Sequence, residues 1–81
     1  MTGDGSRVAH YLLRAATPGA LLTIEVGTGT VVAEGDVVAR LEIMKTEVPV
    51  ESPVAGRIAA IHVALGGVVA DGDLLMTIDV G

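Results

Sequence analysis

Gly19-Ala20-Leu21-Leu22-Thr23-Ile24-Glu25-Val26-Gly27-Thr28-Gly29-Thr30-Val31-Val32-Ala33-Glu34-Gly35-Asp36-Val37-Val38-Ala39-Arg40-Leu41-Glu42-Ile43 recurs, in an alignment that needs no gaps, as a second version of itself from Gly56 to Val80. At an offset of 37 residues Gly19 falls on Gly56, Ile24 on Ile61, Val26 on Val63 and Gly29 on Gly66. Val31-Val32-Ala33 falls on Val68-Val69-Ala70, and Glu34-Gly35-Asp36 on Asp71-Gly72-Asp73. Nine of the 25 positions are identical, and most others keep their aliphatic character: Val37 with Leu74, Leu41 with Ile78, Ile43 with Val80. Two copies are too few for a solenoid, which needs at least three units to bury its faces. They read as two halves of one pseudo-two-fold β domain.

Within each half the apolar period is two. Leu22, Ile24 and Val26 alternate with Thr23 and Glu25, and Ala59, Ile61 and Val63 with Ala60 and His62. Val37, Ala39, Leu41 and Ile43 alternate with Val38, Arg40 and Glu42, and Leu74, Met76, Ile78 and Val80 with Leu75, Thr77 and Asp79. That is the pattern of strands with one face buried. Gly27, Gly29, Gly35, Gly66, Gly67 and Gly72 mark turns, and Pro18-Gly19 and Pro53 to Gly56 open the two halves alike. No window carries an apolar stripe of helical period. The expectation is an all-β fold of about eight short strands in a flattened barrel or sandwich, occupying residues 7–81 behind a flexible tail over 1–6.

Composition agrees with one small domain. The 81 residues are 51% hydrophobic, yet there is no Phe or Trp, and Tyr11 is the sole aromatic. Small aliphatic side chains suit a pleated core better than a ligand cavity walled with rings. Uninterrupted apolar runs stay near four residues, far below the roughly 20 that span a bilayer. The first residues carry neither the basic nor the apolar region of a secretory signal. The absence of cysteine excludes disulfides, Fe–S clusters and thiolate zinc sites. A cytoplasmic chain is expected. The formal charge of −5 argues against nucleic acid as a partner, and no membrane partner is expected.

The basic residues are four arginines and one lysine, Lys45. Its repeat equivalent would fall one residue past Gly81. The turn around Lys45 in one half therefore corresponds to the chain ends in the other, and the two should lie at opposite ends of the domain. Strand-like Val37 to Ile43 leads into Met44-Lys45, and strand-like Thr46 to Val50 leads out, which places the lysine at a hairpin tip. A solvated lysine at a turn is ordinarily unremarkable. Here it is the only one, at a position where Asn, Asp, Gly or Pro is the usual choice. The apolar Met44 beside it serves no folding purpose at an exposed tip and looks like a recognition feature. The neighbouring acids Glu42, Glu47 and Glu51 favour the charged ammonium, so Lys45 reads as the target of an enzyme rather than as a catalytic nucleophile.

Glu42-Ile43-Met44-Lys45-Thr46 resembles the Glu-Ala-Met-Lys-Met sequence of biotinyl domains, the carriers of biotin-dependent carboxylases. The resemblance covers nearly the whole chain from Arg7. Ala16-Thr17-Pro18-Gly19 is similar to the family's Ser-Pro-Met-Pro-Gly segment, and Ser52-Pro53-Val54-Ala55-Gly56 to its Ala-Pro-x-x-Gly segment. Glu34-Gly35-Asp36 and Asp71-Gly72-Asp73 resemble its paired Gly-Asp turns. What the resemblance implies is the family's barrel-sandwich hybrid, or hammerhead, with Lys45 acylated by a biotin protein ligase. Met44 and Thr46 would then be read by that ligase, and Glu42 would belong to the tip motif. The tethered biotin would be carboxylated at a biotin carboxylase site and would unload at a carboxyltransferase site. Ile43 and Thr46 depart from the family's alanine and second methionine. The short Gly27 to Thr30 link leaves no room for the thumb of some bacterial carriers. Lipoyl domains share the fold and resemble Glu-x-Asp-Lys-Ala at the tip. Glu42 fits both patterns, so lipoate in an acyl-transfer complex stays as the alternative cofactor, and an unmodified docking domain of the same fold as the alternative role.

The remaining motifs lead nowhere chemical. Gly27-Thr28-Gly29-Thr30-Val31-Val32 begins like a dinucleotide loop, but Val32 stands where the third glycine is needed and no helix follows. Asp71-Gly72-Asp73 resembles the start of a calcium loop whose bidentate glutamate would fall beyond Gly81, so it reads as a turn. His62 pairs by repeat with Glu25 on the outward face, and His10 falls in the first strand. With only Ser6 and Ser52 to supply a serine triad and no cysteine, no catalytic residue and no metal ligand set is expected.

Overall fold

In the computed structural model, which describes residues 9–81, the aliphatic alternation resolves into eight strands. They are β1 (Ala9–Arg14), β2 (Gly19–Ile24), β3 (Val31–Val32), β4 (Val37–Ile43), β5 (Thr46–Glu51), β6 (Gly56–Ile61), β7 (Val68–Val69) and β8 (Leu74–Val80). The expected tail over 1–6, and Arg7 with it, lies outside the described residues. Among the described residues there is no helix, hence none long and apolar enough to cross a membrane.

The strands form two antiparallel four-stranded sheets, one in the order β1-β8-β6-β3 and the other β5-β4-β2-β7. Neither sheet closes on itself, so the flattened sandwich is not a closed barrel. The two orders are the same order under the repeat: β5, β4, β2 and β7 of one sheet stand where β1, β8, β6 and β3 stand in the other. Even the register is copied, since Ile43 faces Thr46 as Val80 faces Ala9. Each half also lends one short strand to the other's sheet, β3 pairing with β6 and β7 with β2.

The loops repeat as faithfully as the strands. The amide of Ser52 donates to the Asp36 carbonyl at 2.8 Å, as that of Ala15 donates to Asp73 at 2.8 Å. Asp36 accepts the Ala33 amide on its carboxylate at 2.9 Å, and Asp73 accepts that of Ala70 at 2.8 Å. These contacts close the Gly-Asp turns, whose Gly35 and Gly72 sit at φ of 93° and 89°, conformations that favour glycine. The Asp71-Gly72-Asp73 segment is thus a turn closed by its own carboxylate. Ser52, the one buried polar side chain among the described residues, donates its hydroxyl to the Val54 carbonyl at 2.6 Å and leaves no group unsatisfied.

Two features of the expected strand patterning are corrected. The alternation set Leu22 and Ala59 on the core face and turned Val38 and Leu75 outward. In the structure Leu22 and Ala59 are exposed, whereas Leu21, Ile58, Val38 and Leu75 are buried. The cause is a set of β-bulges. Leu21 faces Leu41 and Thr23 faces Arg40, which leaves Leu22 as the extra residue; Ala59 is extra in the same way between Ile58 and Ala60. Val38 and Leu75 are the extra residues between Val37 and Ala39 and opposite Leu13 and Arg14. One extra residue reverses the facing of all that follow.

Inside, Leu13, Leu21, Val32, Val38, Leu41, Ile58, Val69, Leu75, Met76 and Ile78 join Ala15 and Ala39 in a single buried cluster fed by both sheets. That shared core holds the β4–β5 hairpin rigid from below. β3 ends beside the chain-end side of its sheet and runs through Ala33–Asp36 into Val37, the end of β4 remote from the turn. The Met44-Lys45 turn and the chain ends therefore occupy opposite ends of the sandwich, as the repeat implies.

Candidate functional site

The most unusual backbone in the described chain is at Met44 and Lys45. Their φ values are 51° and 64°, and they are the only non-glycine residues described with positive φ. Ile43 pairs with Thr46 across them, so the connection is a two-residue hairpin turn with both central residues left-handed, the type I′ geometry. That geometry matches strand twist and normally falls to Asn-Gly. A side chain with a full Cβ costs about 1–2 kcal/mol per residue there. Strain of this kind, which a glycine would relieve, clusters in proteins at functional positions.

Support for the turn comes from behind. Ile43 packs against the core cluster. Gly19 passes so close to the strand end that leads into the turn that an added Cβ would stand 2.9 Å from the Glu42 carbonyl oxygen and 3.1 Å from Ile43 Cγ1. Gly56 plays the same part against Asp79 and Ile78 in the other half. The Pro18-Gly19 segment is thus a backstop that only glycine fits, a role the turn-and-repeat reading of the sequence missed; its signal was the glycine kept in both halves.

At the tip Met44 is 93% exposed, and Lys45, Thr46, Glu42 and Glu47 are exposed around it. Among the described residues neither Lys45 nor Glu42 has an ion-pair partner within 4.0 Å. Glu42 faces Glu47 directly across the strands, an arrangement of like charges that works against pairing. Arg40 offsets part of it, standing 3.6 Å from Glu47 and 3.6 Å from Glu25. Glu51, which the sequence grouped with the tip acids, faces Val37 at the far end of the hairpin. Five residue steps of strand carry it about 16 Å from Thr46, so it is not part of the tip.

The structure therefore gathers Glu42, Met44, Lys45 and Thr46 at one exposed turn. Elsewhere, His62 is exposed with Nε2 2.8 Å from Thr77 Oγ1, and His10 Nδ1 lies 2.5 Å from Asp79 Oδ1 near the chain ends. Neither shares a hydrogen bond or ion pair with a residue of the turn. What the tip offers chemically is an exposed primary amine, without an ion-pair partner among the described residues, on a left-handed turn with an exposed apolar neighbour.

Residues 12–78 match the model of a family described as “Biotin-requiring enzyme”, the biotin/lipoyl family. The chain belongs to that family. Among solved structures, this biotin/lipoyl domain is similar to part of a single-chain, multi-domain long-chain acyl-CoA carboxylase, with 29% identity and a TM-score of 0.80 over 84% of the chain. It is also similar to part of the Kluyveromyces lactis urea carboxylase, with 31% identity and a TM-score of 0.81 over 86% of the chain. The domain spans 7% of the length of the first and 6% of the second.

Proposed function

We propose that this biotin/lipoyl domain is a biotin carboxyl carrier, with biotin held as an amide on Lys45. The observation that carries the reading is the lysine itself, the only one in the sequence, in a left-handed turn beside an almost wholly exposed methionine. The likeness to two carboxylases supports biotin over lipoate. Met44 stands where a lipoyl tip resembles Asp, and Thr46 where it resembles Ala, which points the same way.

In this reading a biotin protein ligase supplies biotin with its carboxyl activated. Lys45 Nζ, after losing a proton, attacks the acyl carbon; the leaving group departs and an amide replaces the ammonium charge. Met44 and Thr46 flank the amine for that ligase, and Glu42 sets the anionic side of the tip. The domain performs no further chemistry of its own. The lysine side chain and biotin together make a long arm that moves between a biotin carboxylase site, where the ring takes up a carboxyl group, and a carboxyltransferase site, where it gives it up. A rigid sandwich suits this work, because each partner meets the same turn at the same angle, while contact limited to a small tip keeps each visit short.

The test is the intact mass of the protein after co-expression with a biotin protein ligase and biotin, with parallel samples given a lipoyl ligase and lipoate. The expected result is one biotinyl increment in the wild type and none in Lys45→Arg. A lipoyl increment alone would move the domain to acyl-transfer complexes. No increment under either condition would leave the fold as an unmodified docking domain.

A further inference from the structure

The internal repeat supplies a built-in control for every surface residue, since each sheet shows which side chains the fold itself accepts at a given place. The outer faces of the two sheets differ next to the tip. In the sheet that carries Lys45, the second rung from the turn reads Glu47, Glu42, Ala20, Val68 across β5, β4, β2 and β7. The equivalent rung of the other sheet reads His10, Asp79, Arg57, Val31. There an acid sits between a histidine and an arginine, with His10 on Asp79 at 2.5 Å. Beside the tip the acids face each other, and the arginine's place is taken by Ala20.

On β2 and the loop before β7 the apolar residues diverge as well, while on the edge strands the other sheet exposes Leu12 (46%) where this one has Pro49. Leu22 is 39% exposed on the outer face of β2, where the other sheet has Ala59. Leu65 is 64% exposed where the other half has Thr28. The Gly66 amide donates to the Leu21 carbonyl at 2.9 Å, and the Leu21 amide to the Gly67 carbonyl at 2.8 Å, which holds the Leu65 loop alongside β2. Val68 is 83% exposed and pairs with Ala20. Val68, Ala20, Leu22 and Leu65 thus line an apolar strip that begins beside the tip. Folding does not call for it, because the duplicate sheet folds with Arg57, Ala59 and Thr28 in place of three of its members.

Resting on the reading of Lys45 as a biotin acceptor, we propose that this outer face, from the Glu42–Glu47 rung along Val68, Ala20, Leu22 and Leu65, is the surface on which the biotin protein ligase docks while it acylates the tip. An exposed apolar strip of this kind gains by being covered. The facing carboxylates at its edge call for cations from outside, so the complementary ligase surface is an apolar patch bordered by Arg or Lys. Adjacency to the tip supplies the reason for its place: a protein bound there has Lys45 within reach.

The test exchanges each side chain for the one the other sheet already carries. The variant Ala20→Arg, Leu22→Ala, Leu65→Thr removes the strip; the reverse variant Arg57→Ala, Ala59→Leu, Thr28→Leu builds one on the other sheet. A purified biotin protein ligase is assayed for initial rate against carrier concentration, with intact mass at the endpoint and sedimentation of each protein. The first variant is expected to raise KM about tenfold with kcat and the final biotinyl increment unchanged, the scale of losing a central apolar contact. The reverse variant should keep the wild-type KM. A wild-type KM in the first variant, or an equal rise in both, overturns the docking face while leaving Lys45 as the acceptor. A change in association state without a change in KM assigns the strip to a second copy of the chain and also overturns it. A wild type that takes no biotin brings down both readings together.

Discussion

At Met44 and Lys45 the backbone holds a conformation that Asn and Gly adopt with far less strain, and nothing in the core requires the residues present. Replacing the pair, Met44→Asn with Lys45→Gly, should therefore stabilise the hairpin by about 1–2 kcal/mol. The measurement is the urea midpoint at unchanged m value; a midpoint equal to or below that of the wild type would show that the turn stores no strain. The same variant loses its acceptor amine, so stability and modification move in opposite directions, the trade expected of a functional turn. This residue was legible in the sequence because it is unique there and breaks turn chemistry openly. The partners of the tip were less so. Glu51 is close in sequence to Lys45 and far in space, since an extended strand carries residues apart faster than any other element. Gly19 is distant in sequence and lies directly behind the hairpin, a proximity set by sheet pairing.

Strands were legible as elements and misread in phase. A bulge inserts one residue without a compositional mark, and the aliphatic runs here, Leu21-Leu22 and Val37-Val38 above all, give either phase an apolar residue to place inside. Burial decides between them. Leu21 is 2% exposed and Leu22 39%, although they are adjacent and chemically identical. Leu21→Ala should accordingly cost about 2–5 kcal/mol by leaving a cavity in the core, whereas Leu22→Ala should stay within about 0.5 kcal/mol of wild type. Urea unfolding of the two variants side by side checks this, and equal losses would place the bulge elsewhere. The repeat was also longer than its identities show. β1 and β5 occupy equivalent positions with equivalent registers, yet Ala-His-Tyr-Leu-Leu-Arg and Thr-Glu-Val-Pro-Val-Glu share no residue. As edge strands they are held by pairing on one side only, and sheet geometry gives them equivalent places without side-chain similarity.

On the scale of the molecule the two halves are one cooperative body, because neither owns a complete sheet. β3 of the first half completes the sheet of β8 and β6, β7 of the second completes that of β4 and β2, and the cluster between them draws from both. A chain assembled from two autonomous repeats would unfold in two steps; this interleaving predicts one. Tyr11, the sole aromatic, makes the test direct, since it lies on β1 opposite Ile78 and reports only on its own sheet. Leu21 belongs to the other sheet. In Leu21→Ala the Tyr11 fluorescence transition should fall to lower urea by the same amount as the far-ultraviolet circular dichroism transition, with the two curves coincident as in the wild type. A Tyr11 curve that stayed at its wild-type midpoint while the dichroism curve moved or split would mean that the sheets melt separately. Coincidence would mean instead that the tip is held by the whole core: the strain at Met44 and Lys45 is sustained by residues of both halves, which is how so small a domain keeps a left-handed lysine in place.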